Sequence, residues 1–238
     1  MLNSIHKTME QIFSKAWEYF KTHWKFLSIV SAIGVLVPMM LIMIPMMSAY
    51  VSLMASAQSG ADNTATLTTL AGSLGVLGFI GIIITILTQV GLMKSALIIT
   101  KGGTPETRDL FLDFGTYLKG FLAMLLCGIA MAIGMVLCVV PGIIVAFFSV
   151  FVPFEILDNP QVGVIDAIKN SVSLVKSDWK TTLIVMLVGG IGASILSWTG
   201  VGVILAYPIL FLAYSVLYRQ LKGQETTPQI DVTSQQLN

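Results

Sequence analysis

GFLAMLLCGIAMAIGMVLCVVPGIIVAFFSVFVPF, residues 120–154, runs without a single charged side chain. About twenty apolar residues carry an α-helix through roughly 30 Å of hydrocarbon, so this run is too long for one crossing. Pro141-Gly142 interrupts it, and such a pair ends or kinks a helix and permits a turn. The stretch is therefore expected to fold as a helix over 121–140 and a return over 143–157. Fifteen residues of helix measure only about 22 Å. The return then either crosses a locally thinned bilayer or forms a re-entrant hairpin with its partner, and both alternatives bring the chain back to the same face.

Working outward, the same character recurs. Residues 26–47 and 67–93 are uncharged runs bounded by Lys25 and Lys94, separated by a polar segment that includes Gln58-Ser59-Gly60 and Asp62-Asn63. A third run, 182–218, breaks at Trp198-Thr199-Gly200-Val201-Gly202, leaving arms at 183–197 and 203–218. The chain is 55% hydrophobic and only 11% charged, far below the roughly 25% charge of soluble domains. Six transmembrane helices in three hairpins are expected within a single domain over 1–222. The polar residues 223–238, with Pro228, are expected to form a disordered tail. No cleavable signal segment is read at the start, because charges are mixed through the first 25 residues.

All thirteen Lys and Arg residues lie outside these apolar cores, in blocks at 7–25, 94–119, 169–180 and 219–222. Cytoplasmic flanks carry the excess of basic residues, so both termini are expected on the cytoplasmic side. The net charge of +1 gives no case for nucleic acid. The two cysteines, Cys127 and Cys138, are about 16 Å apart along one helix and are read as small buried hydrophobes.

Each hairpin is preceded by an amphipathic stretch. Ile12, Phe13, Ala16, Trp17, Phe20 and Trp24 recur at spacings of three and four, with Lys15 and Glu18 opposite. Leu110, Phe111, Phe114, Tyr117, Leu118 and Phe121 repeat the stripe, with Thr104-Pro105-Glu106 as a helix-start signal. Ile165, Ile168, Val172, Val175 and Trp179 form a third. The junctions align as Phe20-Lys21-Thr22-His23-Trp24-Lys25, Phe114-Gly115-Thr116-Tyr117-Leu118-Lys119 and Val175-Lys176-Ser177-Asp178-Trp179-Lys180. Internal repetition and convergence on one interfacial chemistry both explain the echo. Trp17, Trp24, Lys25, Lys119, Trp179 and Lys180 are read as interfacial anchors, with aromatic rings at headgroup depth and ammonium groups reaching water. The bilayer, anionic lipid in particular, is the expected partner.

Candidate functional residues are few. Pro153 and Glu155 stand out because an ionisable group near the end of a membrane segment marks function by default. The plainer reading is that Glu155 ends the span at the interface beside Asp158. His6 and His23 have no metal-ligand spacing. No Ser–His–Asp, paired-carboxylate, P-loop or dinucleotide pattern can be assembled, so neither catalysis nor a cofactor or metal is expected. Gly72, Gly75, Gly78 and Gly81, with Ala71, and Gly189, Gly190 and Gly192 are read as helix-packing positions.

Several motifs carry a family resemblance: Ala16-Trp17-Glu18-Tyr19-Phe20-Lys21, Val140-Pro141-Gly142-Ile143-Ile144 and residues 153–158. To these are added Asp166-Ala167-Ile168-Lys169-Asn170-Ser171 and Leu174-Val175-Lys176-Ser177-Asp178-Trp179. In these the chain resembles bacterial inner-membrane proteins related to the membrane domain of glycerophosphoryl diester phosphodiesterases. The resemblance implies topology and a place in the bacterial cytoplasmic membrane. No phosphodiesterase domain accompanies it here, so no activity follows. The function expected is a non-catalytic role in envelope or lipid homeostasis, or as a subunit with a membrane or cytoplasmic protein partner. The rival is a transporter of a small solute or lipid, which would need a polar cavity at mid-depth.

Overall fold

The computed structural model describes residues 2–59, 64–110, 113–199 and 202–223. The expected turn residues at 60–63, Phe111 of the second stripe, the 200–201 break and the tail beyond Gly223 lie outside the described residues, as does the side chain of His6. Among the described residues there is no strand, and the helices are α1 Leu2–Ser59, α2 Thr64–Thr100, α3 Phe114–Leu137, α4 Val139–Phe148, α5 Val152–Asp158, α6 Val164–Ser177, α7 Trp179–Ser197 and α8 Gly202–Leu221. A 3-10 turn at Thr107–Leu110 precedes α3. Among the described residues six stretches are long and apolar enough to cross a membrane: Thr8–Ala57, Leu67–Thr100, Phe114–Leu137, Val139–Asp158, Trp179–Ser197 and Gly202–Leu221. The chain is an all-helical, multi-pass membrane protein.

Several boundaries differ from the sequence expectation, each for a physical reason. The first two helices run far beyond 26–47 and 67–93. The polar segment after residue 47 stays helical, and there Ser48, Ser52 and Ser56 satisfy their hydroxyls on carbonyls three or four residues back instead of turning the chain. The break in the 120–154 run falls at Cys138, whose backbone is extended (φ −173°, ψ 148°), rather than at Pro141-Gly142. Pro141 instead occupies the first turn of α4, where its missing N–H is not needed. Cys138 is exposed, not buried as expected. α4 and α5, with the turn between them, together make up a stretch, Val139–Asp158, long and apolar enough to cross a membrane.

Thr104-Pro105-Glu106 does not start an α-helix but leads into the 3-10 turn at Thr107–Leu110. The start lies at Asp113, whose carboxylate accepts from the Thr116 amide at 3.0 Å and the Thr116 hydroxyl at 2.7 Å. Those two bonds hold the Asp113 carboxyl below the usual carboxylate range, the hydroxyl contributing most. Two of the three aligned junctions do bend at the same position. His23 interrupts α1 (φ −115°, ψ 18°), and Asp178 separates α6 from α7 (φ −146°, ψ 70°) while accepting from the Thr181 amide. Tyr117, the third equivalent, lies inside α3 without a break.

The glycines divide sharply. A Cβ on Gly72, Gly75 or Gly78 would meet nothing within 4 Å, so the expected Ala71/Gly75 packing is not made within this chain. At Gly134 a Cβ would lie 2.7 Å from the Gly142 nitrogen, so the bare backbones of α3 and α4 rest on each other there. Gly189 likewise admits Leu210 of α8.

α1 packs on α2 and α8, α7 on α8, and α3 on α4, with α5 and α6 joining the two groups. The main core gathers at the end that carries the Lys and Arg residues, here called the basic end. Ile12, Ala16 and Phe20 of α1, Leu97 and Ile99 of α2, Phe151 and Phe154 of α5, and Leu217 and Tyr218 of α8 are all buried in it. The apolar stripe of α1 therefore turns largely onto the protein. The farther halves of the spans leave most of their apolar side chains exposed, Ile44, Met47, Val76, Phe79 and Ile195 among them.

Candidate functional site

Glu155 is 2% exposed and lies at the meeting of α2, α5, α6 and α8. The chain reaches it through a defect. Helical bonding lapses between α4 and α5, and Ser171 of α6 repairs the gap: its hydroxyl donates to the Phe148 carbonyl at 2.7 Å and accepts from the Phe151 amide at 3.2 Å. Pro153 follows in the first turn of α5, which sets Glu155 in that same turn, where a carboxylate opposes the positive end of the helix dipole.

Around Glu155 the donors converge from distant sequence. Tyr218 donates its hydroxyl to Glu155 at 3.1 Å, Lys222 approaches at 3.0 Å, and the Asn170 amide lies at 3.4 Å. Asp158, one turn on, takes Lys101 at 2.5 Å and Lys222 at 3.1 Å, and its carboxylate is also 3.2 Å from the Tyr218 hydroxyl. That hydroxyl has one proton and two carboxylates in reach, and it accepts from Lys222 at 2.6 Å. Two carboxylate side chains thus face two lysine side chains. Removing either partner of such a pair leaves an uncompensated charge.

Beneath the cluster the end of α2 is tied to α8. Thr100 and Ser215 share a hydrogen bond of 2.8 Å, and the Arg219 guanidinium donates to the Thr100 carbonyl. A cation at the last carbonyls of a helix also complements its dipole. The result is a polar clamp holding α2, α5 and α8 together. Among the described residues no group of three His, Cys, Asp or Glu side chains is placed to hold a metal.

Of the residues singled out from sequence, Glu155 is central to this clamp, and Pro153 positions it. The anchors are scattered along the same end. Trp17, Trp24 and Trp179 are about half exposed. The Lys21 ammonium lies 5.7 Å from the Trp17 ring, and Lys180 is equally close to Trp179. Lys25 is exposed, whereas Lys119 donates to the Pro160 carbonyl at 2.5 Å and straps α3 to the loop before α6. His23 sits at the α1 bend with Nδ1 3.3 Å from the Tyr19 carbonyl. Lys101, Tyr218 and Lys222 were not singled out for this site. Each is an ordinary interfacial residue in its own segment, and nothing local marks it as a partner of Glu155 or Asp158.

A second polar place lies deeper. Between α1, α2 and α8 an open cleft of about 200 Å³ is lined by Ser31, Gly34, Thr85, Thr88, Gln89 and Tyr207 with Val35, Leu92 and Val203. All nine lining residues are uncharged.

Comparison of the chain with family models, with curated proteins and with solved structures finds no match.

Proposed function

We propose that this protein is a non-catalytic component of the bacterial cytoplasmic membrane that acts in envelope or lipid homeostasis by holding anionic lipid along its basic end. In this reading the six spans pair as three hairpins, each led in by an amphipathic segment, and the basic end with both termini faces the cytoplasm. The observation that carries it is the pairing of half-exposed tryptophans with lysines, Trp17 with Lys21 and Trp179 with Lys180. An indole seats at headgroup depth, and a neighbouring ammonium meets the anionic phosphate above it. The clamp at Glu155 fixes α8, on which both helices that display these pairs pack. A membrane or cytoplasmic protein partner would dock on this same end.

The test is lipid capture. Lys21, Lys25, Lys176 and Lys180 are all exposed. Replacing them together with glutamine should remove about 1 kcal/mol per residue of attraction to an anionic surface. Native mass spectrometry after extraction should then show co-purified anionic lipid falling by tenfold or more, the loss expected for about a third of that sum. Undiminished anionic lipid on the quadruple variant would sink the reading. Transport of a small solute or lipid is the second reading, and the cleft between α1, α2 and α8 is the observation in its favour.

A further inference from the structure

The cleft between α1, α2 and α8 holds hydrogen-bonding groups where a membrane helix can least leave them unused. Ser31 is 2% exposed, and its hydroxyl has no hydrogen-bond partner among the described residues. A helical serine ordinarily returns its proton to the carbonyl one turn back, as Thr85 does to Gly81 at 2.9 Å and Thr88 to Ile84 at 2.8 Å. Ser31 does not. A buried hydroxyl without a partner is costly in an apolar medium, so the site is poised for a ligand that supplies one.

The lining also restricts the ligand's chemistry. Thr85 and Thr88 have spent their protons on their own helix, so their oxygens offer lone pairs and ask for a donor. Ser31 has a proton to give and asks for an acceptor, and the Gln89 carboxamide serves either need. No lining residue is charged, so a phosphate or an amine would enter without a counter-ion. A free hydroxyl beside an ester carbonyl satisfies the whole set. The volume of about 200 Å³ equals that of roughly six or seven liquid waters, room for such a headgroup but not for acyl chains as well. Val35, Leu92 and Val203 complete the wall, and the cleft is open, so chains can leave along apolar surface.

Depth agrees. Ser31 lies eight residues beyond the His23 bend, about 12 Å along the helix, and Gln89 and Tyr207 lie about 16 Å from Thr100 and Tyr218 of the clamp. All are inside the apolar spans, Ser31 and Gln89 in the halves nearer the basic end and Tyr207 just past the middle of its span. We propose that this cleft binds the head of a neutral glyceride, a mono- or diacylglycerol, with Ser31 donating to an ester carbonyl and Thr85 or Thr88 accepting from the free hydroxyl. The proposal goes beyond anionic-lipid contact at the basic end, since it concerns a different lipid class at a different depth.

The experiment reconstitutes the full chain in phosphatidylcholine nanodiscs doped with a diacylglycerol bearing a photoreactive group near its ester. Crosslinks should map to α1 and α2 around Ser31 and Gln89. Labelling should fall about fivefold for each hydrogen bond removed in Ser31→Ala and Thr88→Val, both close in shape to the native side chains. Both variants should retain the wild-type thermal unfolding profile. Should Ser31→Ala fail to fold, Thr88→Val and Gln89→Leu carry the same comparison. Labelling spread over the exposed faces of α3 and α7, or unchanged in these variants, overturns the proposal. Protection of the cleft by millimolar free glycerol would assign the site to a soluble polyol and overturn the lipid assignment. The lysine-to-glutamine variant should label at the wild-type level, which keeps this outcome separate from that of anionic-lipid capture.

Discussion

Replacing Glu155 with glutamine keeps the shape of the side chain and removes one of the two negative charges in the clamp. The remaining Asp158 then faces both Lys101 and Lys222, and the amide NH₂ of the new residue is turned toward donors. A charge-assisted hydrogen bond contributes about 1.5–3 kcal/mol, and breaking a fully buried pair costs about 3–5 kcal/mol. Glu155 is 2% exposed but the Lys222 side chain is 25% exposed, so water recovers part of the loss on the lysine side. Glu155→Gln should therefore destabilise the protein by about 2–3 kcal/mol, below the range for a fully buried pair. The diagnostic quantity is the coupling with Lys222. If the two residues act through one another, Lys222→Met should cost much less in the Glu155→Gln background, with a coupling of about 1–2 kcal/mol. Equilibrium unfolding of the four proteins in mixed detergent micelles, followed by far-UV circular dichroism, measures the cycle. Additive effects within about 0.5 kcal/mol would refute the claim that Lys222 compensates the Glu155 charge.

Further outcomes follow from the local geometry. Ser171→Ala leaves the Phe148 carbonyl and the Phe151 amide unsatisfied in a buried place, which should cost about 1–3 kcal/mol in the same unfolding assay. Gly134→Ala puts a methyl against the backbone of Gly142 and should destabilise the α3–α4 contact by about 1–3 kcal/mol. Gly128→Ala, with nothing within 4 Å, should be neutral or stabilising by up to about 1 kcal/mol. Because the Asp113 carboxyl is held below its ordinary range, the cap it provides is fully present above the unfolded pKa of about 3.9. It is lost only as pH falls below that, through the depressed folded value. Amide exchange at Thr116 should report it, rising in Asp113→Ala at neutral pH and staying low in Asp113→Asn.

The spans were legible because hydrocarbon demands long uncharged runs, and a helix is the local way to satisfy its backbone. Their ends were not, because Ser48 and Ser52 look like loop residues until their hydroxyls are seen bonding their own helix. Pro141 marked the correct neighbourhood of a break but the wrong residue, since a proline is equally at home in the first turn after one. The stripe of Ile12, Ala16 and Phe20 was visible, but periodicity is the same whether an apolar face meets lipid or protein. Glu155 was conspicuous as a lone acid among apolar residues. Its partners Tyr218 and Lys222 lie 63 and 67 residues after it, and Lys101, which pairs with the neighbouring Asp158, lies 54 before it, and no local pattern encodes that meeting. Asn170 and Ser171 stand out in the sequence only within the motif Asp166–Ser171 that carries the family resemblance. The structure gives that motif a physical task, since one residue bonds Glu155 and the other patches the helix beside it.

The uneven distribution of the core has a consequence for how the protein is made. Ile12, near the start of the chain, and Tyr218, near the end of the last described helix, belong to one packed cluster. Ribosomal synthesis delivers the first of these some two hundred residues before the second. Throughout that interval α1 and α2 must wait with their basic-end surfaces uncovered, and only the arrival of α8 closes the assembly. Its last turns act as a completion signal: a nascent chain arrested before Tyr218 carries five of its six crossing segments but lacks the residue that ties Glu155 and Asp158 together. Quality-control proteases that probe loosely packed membrane helices therefore have a physical basis for telling an unfinished copy from a finished one.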